Sequence, residues 1–373
     1  MMHQLFEKTV IKSLELNNRS VRSATWSGVG DPKGYVTDTA VEFYGRLAAG
    51  GVGLIVTGFQ YVMPNGIAML YQIGNHSDDQ LEGLSRLAQA IHSQGGQVMA
   101  QLAHAGSRAN PELFPEEGEI WGPSAVPDAV TGNSPKEMTR QEITQVIEAY
   151  AAAASMAKSS GFDGIQLGSA HGYGIDQFLS GATNRRTDGY GGDIRKRYRF
   201  LGETLEAVRG SVGSDYPVFI KLSGNDYVEN GLVPEESLQV ARRLVDDGID
   251  CIEVSGGNRA AGNGMVPARQ NIHREEDEAY LAELAGRFKE AVNVPIITVG
   301  GIRSPAVITR ILSESIADYV AFCRPLIREP GLINRWKSGD LAKAKCISCN
   351  GCVETTLEGT GVSCKAERKS KGN

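Results

Sequence analysis

The sequence predicts a TIM, or (β/α)8, barrel with a cysteine-rich C-terminal extension, and three observations lead there. Eight short apolar runs recur along 373 residues, each followed by a longer amphipathic stretch; eight strand–helix units are the count that closes such a barrel. The apolar runs lack clean alternation, as parallel strands covered on their outer faces should. No Gly-x-Gly-x-x-Gly follows the first run, which speaks against the rival doubly wound sheet of a nicotinamide-binding domain.

In chain order, strands are expected at 21–24, 53–58, 97–103, 162–167, 217–223, 250–255, 295–300 and 318–323. Helical patterns lie near 39–49, 78–94, 140–159, 195–210, 235–248, 275–291 and 304–314, with a last one after 328. The barrel is assigned residues 1–340 and the extension 341–373. The stretch 105–138, rich in Pro and Gly and holding Trp121, reads as an insertion over the barrel mouth.

Composition narrows the function classes. With 41% hydrophobic and 22% charged residues the chain has the make-up of a soluble globular protein. A formal net charge of −6 gives no reason to expect nucleic acid or an anionic membrane as partner. The N-terminal stretch has no apolar signal region, and no run of about 18 apolar residues occurs, so a cytoplasmic protein is expected. Of the six cysteines, Cys251 and Cys323 sit in strand-like runs and read as small apolar residues. Cys346, Cys349, Cys352 and Cys364 crowd into the tail, and in a reducing compartment that spacing suggests a [4Fe–4S] cluster or a tetrahedral zinc rather than disulfides.

Barrel chemistry sits at the C-terminal ends of the strands. The first ends in Ser23, Ala24, Thr25 and Trp26; the second at Gly58, which leaves room for a flat ring. The third carries Gln101 in an apolar run, where a buried amide needs partners. The fourth breaks at Gly168-Ser169 and delivers His171 and Tyr173 to one loop, an imidazole to donate hydrogen bonds and a phenol to supply a proton. The segment NRRTDGYGG that follows suits a loop folded over a site. The fifth puts Lys221 inside the barrel, where it needs an anionic partner. Gly300 and Gly301 after the seventh, and Cys323-Arg324 after the eighth, fall where barrels seat a phosphate.

Residues 162–192 resemble the HGYLxxEFLSPxxNRRTDxYGG signature of the old yellow enzyme family of FMN-dependent NADH:flavin oxidoreductases. The likeness extends over roughly residues 4–340, through NRSVRSAT, QLAHAGSR, VGGI and CRPL. It implies FMN held by Ser23, Ala24, Thr25, Gly58, Gln101, Lys221, Gly300, Gly301, Cys323 and Arg324, with NADH or NADPH as reductant. Hydride would pass from reduced flavin to an electron-poor alkene of the enone or enoate type, or to another acceptor, with Tyr173 as proton donor and His171 on the acceptor's carbonyl. Three departures stand out. Gly168 replaces a first carbonyl donor, Trp26 takes a place often held by Cys or Thr, and Lys221 replaces Arg. The tail spacing is similar to the cluster loop of 2,4-dienoyl-CoA reductase and trimethylamine dehydrogenase, with one residue fewer before Cys352. Two other readings compete: a flavin/iron–sulfur electron-transfer module serving a separate partner, and a Schiff-base lyase using Lys221. A small-molecule acceptor is the expected partner, with a homo-oligomer or an electron-transfer partner as alternatives.

Overall fold

The computed structural model describes residues 2–262 and 264–370. Eight parallel strands close into a barrel: β1 (Ser20–Arg22), β2 (Leu54–Val56), β3 (Gln97–Ala103), β4 (Gly164–Ser169), β5 (Val218–Ser223), β6 (Cys251–Ser255), β7 (Ile296–Thr298) and β8 (Tyr319–Phe322). Each pairs with its neighbour in sequence, and β8 returns to β1. Every expected strand is present within two or three residues of its expected bounds.

Helices cover the outside: α1 (Asp38–Ala49), α2 (Leu81–His92), α3 (Arg140–Ser159), α4 (Ile194–Val212), α5 (Pro234–Asp246), α6 (Ala282–Ala291), α7 (Pro305–Ser313) and α8 (Leu332–Lys337), the last being the one expected after 328. Their starts are encoded locally. Thr139 and Glu142 form a reciprocal capping box on α3, and the Asp193 carboxylate accepts from Arg195 N and Lys196 N at the start of α4. The helix expected at 275–291 begins only at Ala282. Ahead of it, Ala279 is left-handed (φ 53°), and the buried Glu278 carboxylate accepts from Arg303 N, Ser304 N and Ser304 Oγ at the start of α7. That carboxylate serves the neighbouring helix instead of its own.

Two apolar layers hold the barrel. The larger lies between strands and helices. The smaller fills the barrel's interior, where Ile11, Leu14 and Leu16 from an N-terminal hairpin meet Val56, Met99, Phe219, Cys251 and Tyr319. Cys251 is thus an interior packing residue, its thiol raised well above its usual range by burial. With one end plugged, the opening is left at the C-terminal ends of the strands.

The tail packs against that opening. Arg303 Nη1 donates to Cys346 O (2.7 Å), Ala344 N to Arg303 O (3.0 Å), Asn350 Nδ2 to Ala268 O (2.8 Å) and Val362 N to Ser27 O (2.9 Å). A Cβ on Gly28 would lie 2.5 Å from Thr356 Cγ2, so the close approach there requires glycine. No helix among the described residues is long and apolar enough to cross a membrane.

Candidate active site

A cavity of about 660 Å³ opens at the C-terminal ends of the strands. Among its walls are Ser23, Ala24, Thr25, Gln101, His171, Tyr173, Lys221, Gly300, Gly301, Cys323 and Arg324, drawn from strands far apart in sequence. Trp26 and Gly168 line it too. Gly58 does not. Its N–H donates to the Tyr44 hydroxyl (2.8 Å), and a Cβ there would sit 2.8 Å from Thr25 O, so this glycine lets β2 approach the turn after β1.

The loop after β4 is built to present two side chains. His171 (φ 67°) and Gly172 (φ 80°) are both left-handed; for a non-glycine residue this costs about 1–2 kcal/mol. The surroundings offset it. The Arg108 guanidinium donates to His171 O, Gly172 N donates to Asp176 Oδ2 (2.6 Å), and Gly174 N donates to His104 O (2.8 Å). Arg108 also reaches Asp128 Oδ2 (3.0 Å) and Asn258 Oδ1 (2.6 Å), and lies 5.8 Å from the Tyr173 ring centre. A Cβ at Gly172 would meet that guanidinium at 2.6 Å. Arg108 is therefore the clamp under the loop.

His171 Nε2 lies 2.7 Å from Ser255 Oγ. Burial, with Lys221 and Arg108 nearby, pushes its pKa down to about 3, so the imidazole is neutral at ordinary pH. The Tyr173 phenol is raised by burial, an effect Arg108 and Arg259 only moderate. It makes no hydrogen bond among the described residues, and its ring packs 5.2 Å from Phe59. A neutral imidazole tethered on one nitrogen and a protonated, unengaged phenol share one cavity. His104 has a different task. Buried and held down to about 4, its ring accepts from Gly106 N (3.0 Å) and fixes the turn after β3.

Two polar residues not singled out from the sequence complete the site. Glu253 is fully buried on β6, in register with Lys221. Its carboxylate takes Lys221 Nζ (3.1 Å), Ser23 Oγ (2.6 Å) and Gln166 Nε2 (2.9 Å), while Gln166 Oε1 accepts from Gln101 (2.7 Å). The anionic partner that Lys221 requires is thus supplied by the chain itself. Engagement by a carboxylate and by Ser23 (2.7 Å) is also unlike the bare apolar setting of a Schiff-base lysine.

The segment 184–192 does not cover the site, and none of it lines the cavity. Asn184 Nδ2 donates to Phe178 O and Tyr190 O; buried Arg186 donates to Pro123 O (2.9 Å) and Met138 O (2.7 Å). Its polar residues pin the insertion 105–138 to the barrel.

The tail cysteines do not converge. Among the described residues, no group of three or more His, Cys, Asp or Glu side chains is arranged to hold a metal ion. Cys349 is exposed, Cys352 lines the cavity, and Cys364 Sγ accepts from Arg328 (3.4 Å). Burial raises the thiols of Cys346 and Cys352, the latter to about 12. As placed, the four do not fit a metal.

The cavity, by contrast, fits FMN. The cavity falls within the roughly 300–1,000 Å³ of small-molecule sites. Gly300 (φ 133°) and Gly301 (φ 71°) turn the backbone beside Arg324, whose Nη1 is held by Asn350 Oδ1 (2.7 Å) and Arg269 O (2.8 Å). Ser348 Oγ, on the same wall, is buried with no hydrogen-bond partner among the described residues. An unpaired hydroxyl beside a guanidinium and a glycine turn suits a phosphate. Arg324→Ala is expected to weaken FMN binding at least tenfold, the ~1.4 kcal/mol expected at minimum of a charge-assisted contact; a fluorescence titration measures it.

A sequence profile of the NADH:flavin oxidoreductase / NADH oxidase family matches residues 4–342. The chain belongs to that family. It is 37% identical over 352 residues to an NADH oxidase of Thermoanaerobacter brockii, covering 94% of this chain but 53% of the relative. It therefore spans about half the length of that protein. An NADPH dehydrogenase of Bacillus velezensis is 35% identical over 331 residues, covering 88% of this chain and 93% of the relative. Among solved structures, a 2-naphthoyl-CoA reductase in complex with 2-naphthoyl-CoA superposes with a TM-score of 0.86 at 29% identity, covering 93% of this chain and 54% of that one. The family match ends at Ala342, so most of the tail lies outside it.

Proposed function

We propose that the protein is an FMN-dependent NAD(P)H oxidoreductase that reduces an electron-poor alkene of the enone or enoate type. One observation carries this: His171 and Tyr173 open, on one strained turn, into the cavity that also holds Gln101, Lys221, Gly300, Gly301 and Arg324. FMN, when bound, supplies two-electron hydride transfer between the nicotinamide and the acceptor. The chain's own residues do the rest. Gly300, Gly301, Arg324 and Ser348 would hold the phosphate end. Gln101 and Lys221 would meet the polar edge of the ring, with Ser23, Ala24, Thr25 and Cys323 along the wall. Neutral His171, tethered to Ser255, orients the acceptor oxygen by hydrogen bonding. Tyr173 gives its proton to the alkene carbon and regains one from solvent. With glycine at 168, the oxygen has a single imidazole donor. The test is anaerobic incubation of FMN-loaded protein with NADPH or NADH and 2-cyclohexenone. Alkene-dependent oxidation of the nicotinamide with saturated product supports the reading; oxidation that proceeds only with oxygen or a quinone sinks it.

A finer reading concerns the tail, where the four thiols would close round a [4Fe–4S] cluster or zinc. Their spacing supports it. On this reading anaerobic purification yields about four irons per chain, lost in Cys349→Ser. Stoichiometric zinc without iron would make the tail a structural staple.

A further inference from the structure

We propose that Glu253 is a positioning residue that sets the charge felt by the bound cofactor, by pairing with Lys221 so that the lysine does not act as a lone cation. The inference rests on the FMN reading above.

Lys221 and Glu253 face each other in register across β5 and β6, and their side chains are 6% and 0% exposed. Lys221, Ser23 and Gln101 line the cavity; Glu253 does not. It lies one layer behind, and its carboxylate gathers three donors: Lys221 Nζ at 3.1 Å, Ser23 Oγ at 2.6 Å and Gln166 Nε2 at 2.9 Å. Two of these donors belong to the cavity wall, and the third holds Gln101, also on the wall, through a 2.7 Å hydrogen bond. A single buried carboxylate thus organises the polar floor of the site.

The electrostatic consequence follows from the separation. A lone ammonium in a low-dielectric cavity would strongly favour any ligand that gains negative charge on reduction. With the opposite charge only 3.1 Å away, most of that field cancels over the length of a ring system. The pair contributes polarity and hydrogen bonds with little net charge. Glu253 therefore holds the reduction potential of bound FMN below the value Lys221 alone would give.

The experiment is the two-electron potential of FMN bound to four proteins: wild type, Glu253→Gln, Lys221→Met and the double variant. Glu253→Gln uncovers the ammonium and should favour the reduced form at least tenfold, a rise of about 30 mV. Lys221→Met leaves the carboxylate alone and should move the potential downward by a similar amount. The double variant should return toward wild type. This pattern of opposite signs is not one that a merely structural residue produces. Should Glu253→Gln fail to fold, the comparison of Lys221→Met with the double variant decides, since the double should lie at least tenfold toward the reduced form. FMN-loaded Glu253→Gln at the wild-type potential, or a double variant indistinguishable from Lys221→Met, overturns the inference. Wild-type protein that takes up no FMN overturns instead the reading beneath it.

Discussion

Replacing Tyr173 with Phe is expected to lower alkene turnover by roughly 10²–10⁴-fold, the usual worth of a positioned general acid. The substitution removes one oxygen and keeps the ring against Phe59 and beside Arg108, so the turn should keep its shape. Flavin reduction by NAD(P)H needs no proton from this residue and should survive. A quinone, which can take its proton from water, should be nearly indifferent. The pH dependence follows from the same surroundings. Burial raises the phenol, so Tyr173 stays protonated through the range in which a free tyrosine begins to ionise. His171, pushed down to about 3, contributes no inflection between pH 5 and 8. Stopped-flow measurement of the two half-reactions separates these effects. If the variant turns over an activated alkene at the wild-type rate while protonation limits that rate, Tyr173 is not the acid.

Replacing Arg108 with Ala is expected to cost about 3–5 kcal/mol of stability, the range for breaking a buried ion pair from one side. Arg108 and Asp128 have side chains only 6% and 4% exposed, and no other Lys or Arg is paired with that carboxylate among the described residues. The loss should reach the chemistry as well. Without the guanidinium, His171 O loses its donor and Asn258 Oδ1 loses a 2.6 Å partner, so the left-handed turn is no longer over-determined. Alkene turnover should fall more than flavin reduction, because the turn carries His171 and Tyr173 but not Lys221 or Gln101. Arg108→Lys keeps the charge without the fork and should recover only part of the stability. Chemical denaturation together with the two half-reactions measures both effects. Unchanged stability in Arg108→Ala would show that the clamp is not structural.

The barrel could be read closely because eight apolar runs of the right length leave few alternatives, and the N-terminal hairpin only plugs what they close. Gln101 and Lys221 were legible by one rule, that a polar residue inside an apolar strand must have a purpose. The same rule applies to Gln166 in GIQLGS and Glu253 in CIEVS. What the sequence hides is register: the facing of Lys221 and Glu253 depends on how β5 and β6 align, which neither strand encodes alone. The segment NRRTDGYGG reads as a cover from the sequence because polar residues and glycines look alike in a lid and in a brace; only the burial of Arg186 against Pro123 O and Met138 O tells them apart. The tail was legible as four cysteines but not as a wall. Its contribution rests on Ser348, Asn350 and Thr356, whose side chains carry no pattern, and on Gly28, whose contact with Thr356 spans most of the chain.

That the cavity is an FMN site is tested most directly by the visible spectrum of the purified protein after incubation with excess FMN and removal of the free flavin. Oxidised-flavin bands at an equimolar ratio of FMN to chain are the predicted result, with the ratio falling in Arg324→Ala. A folded protein that stays colourless would contradict it.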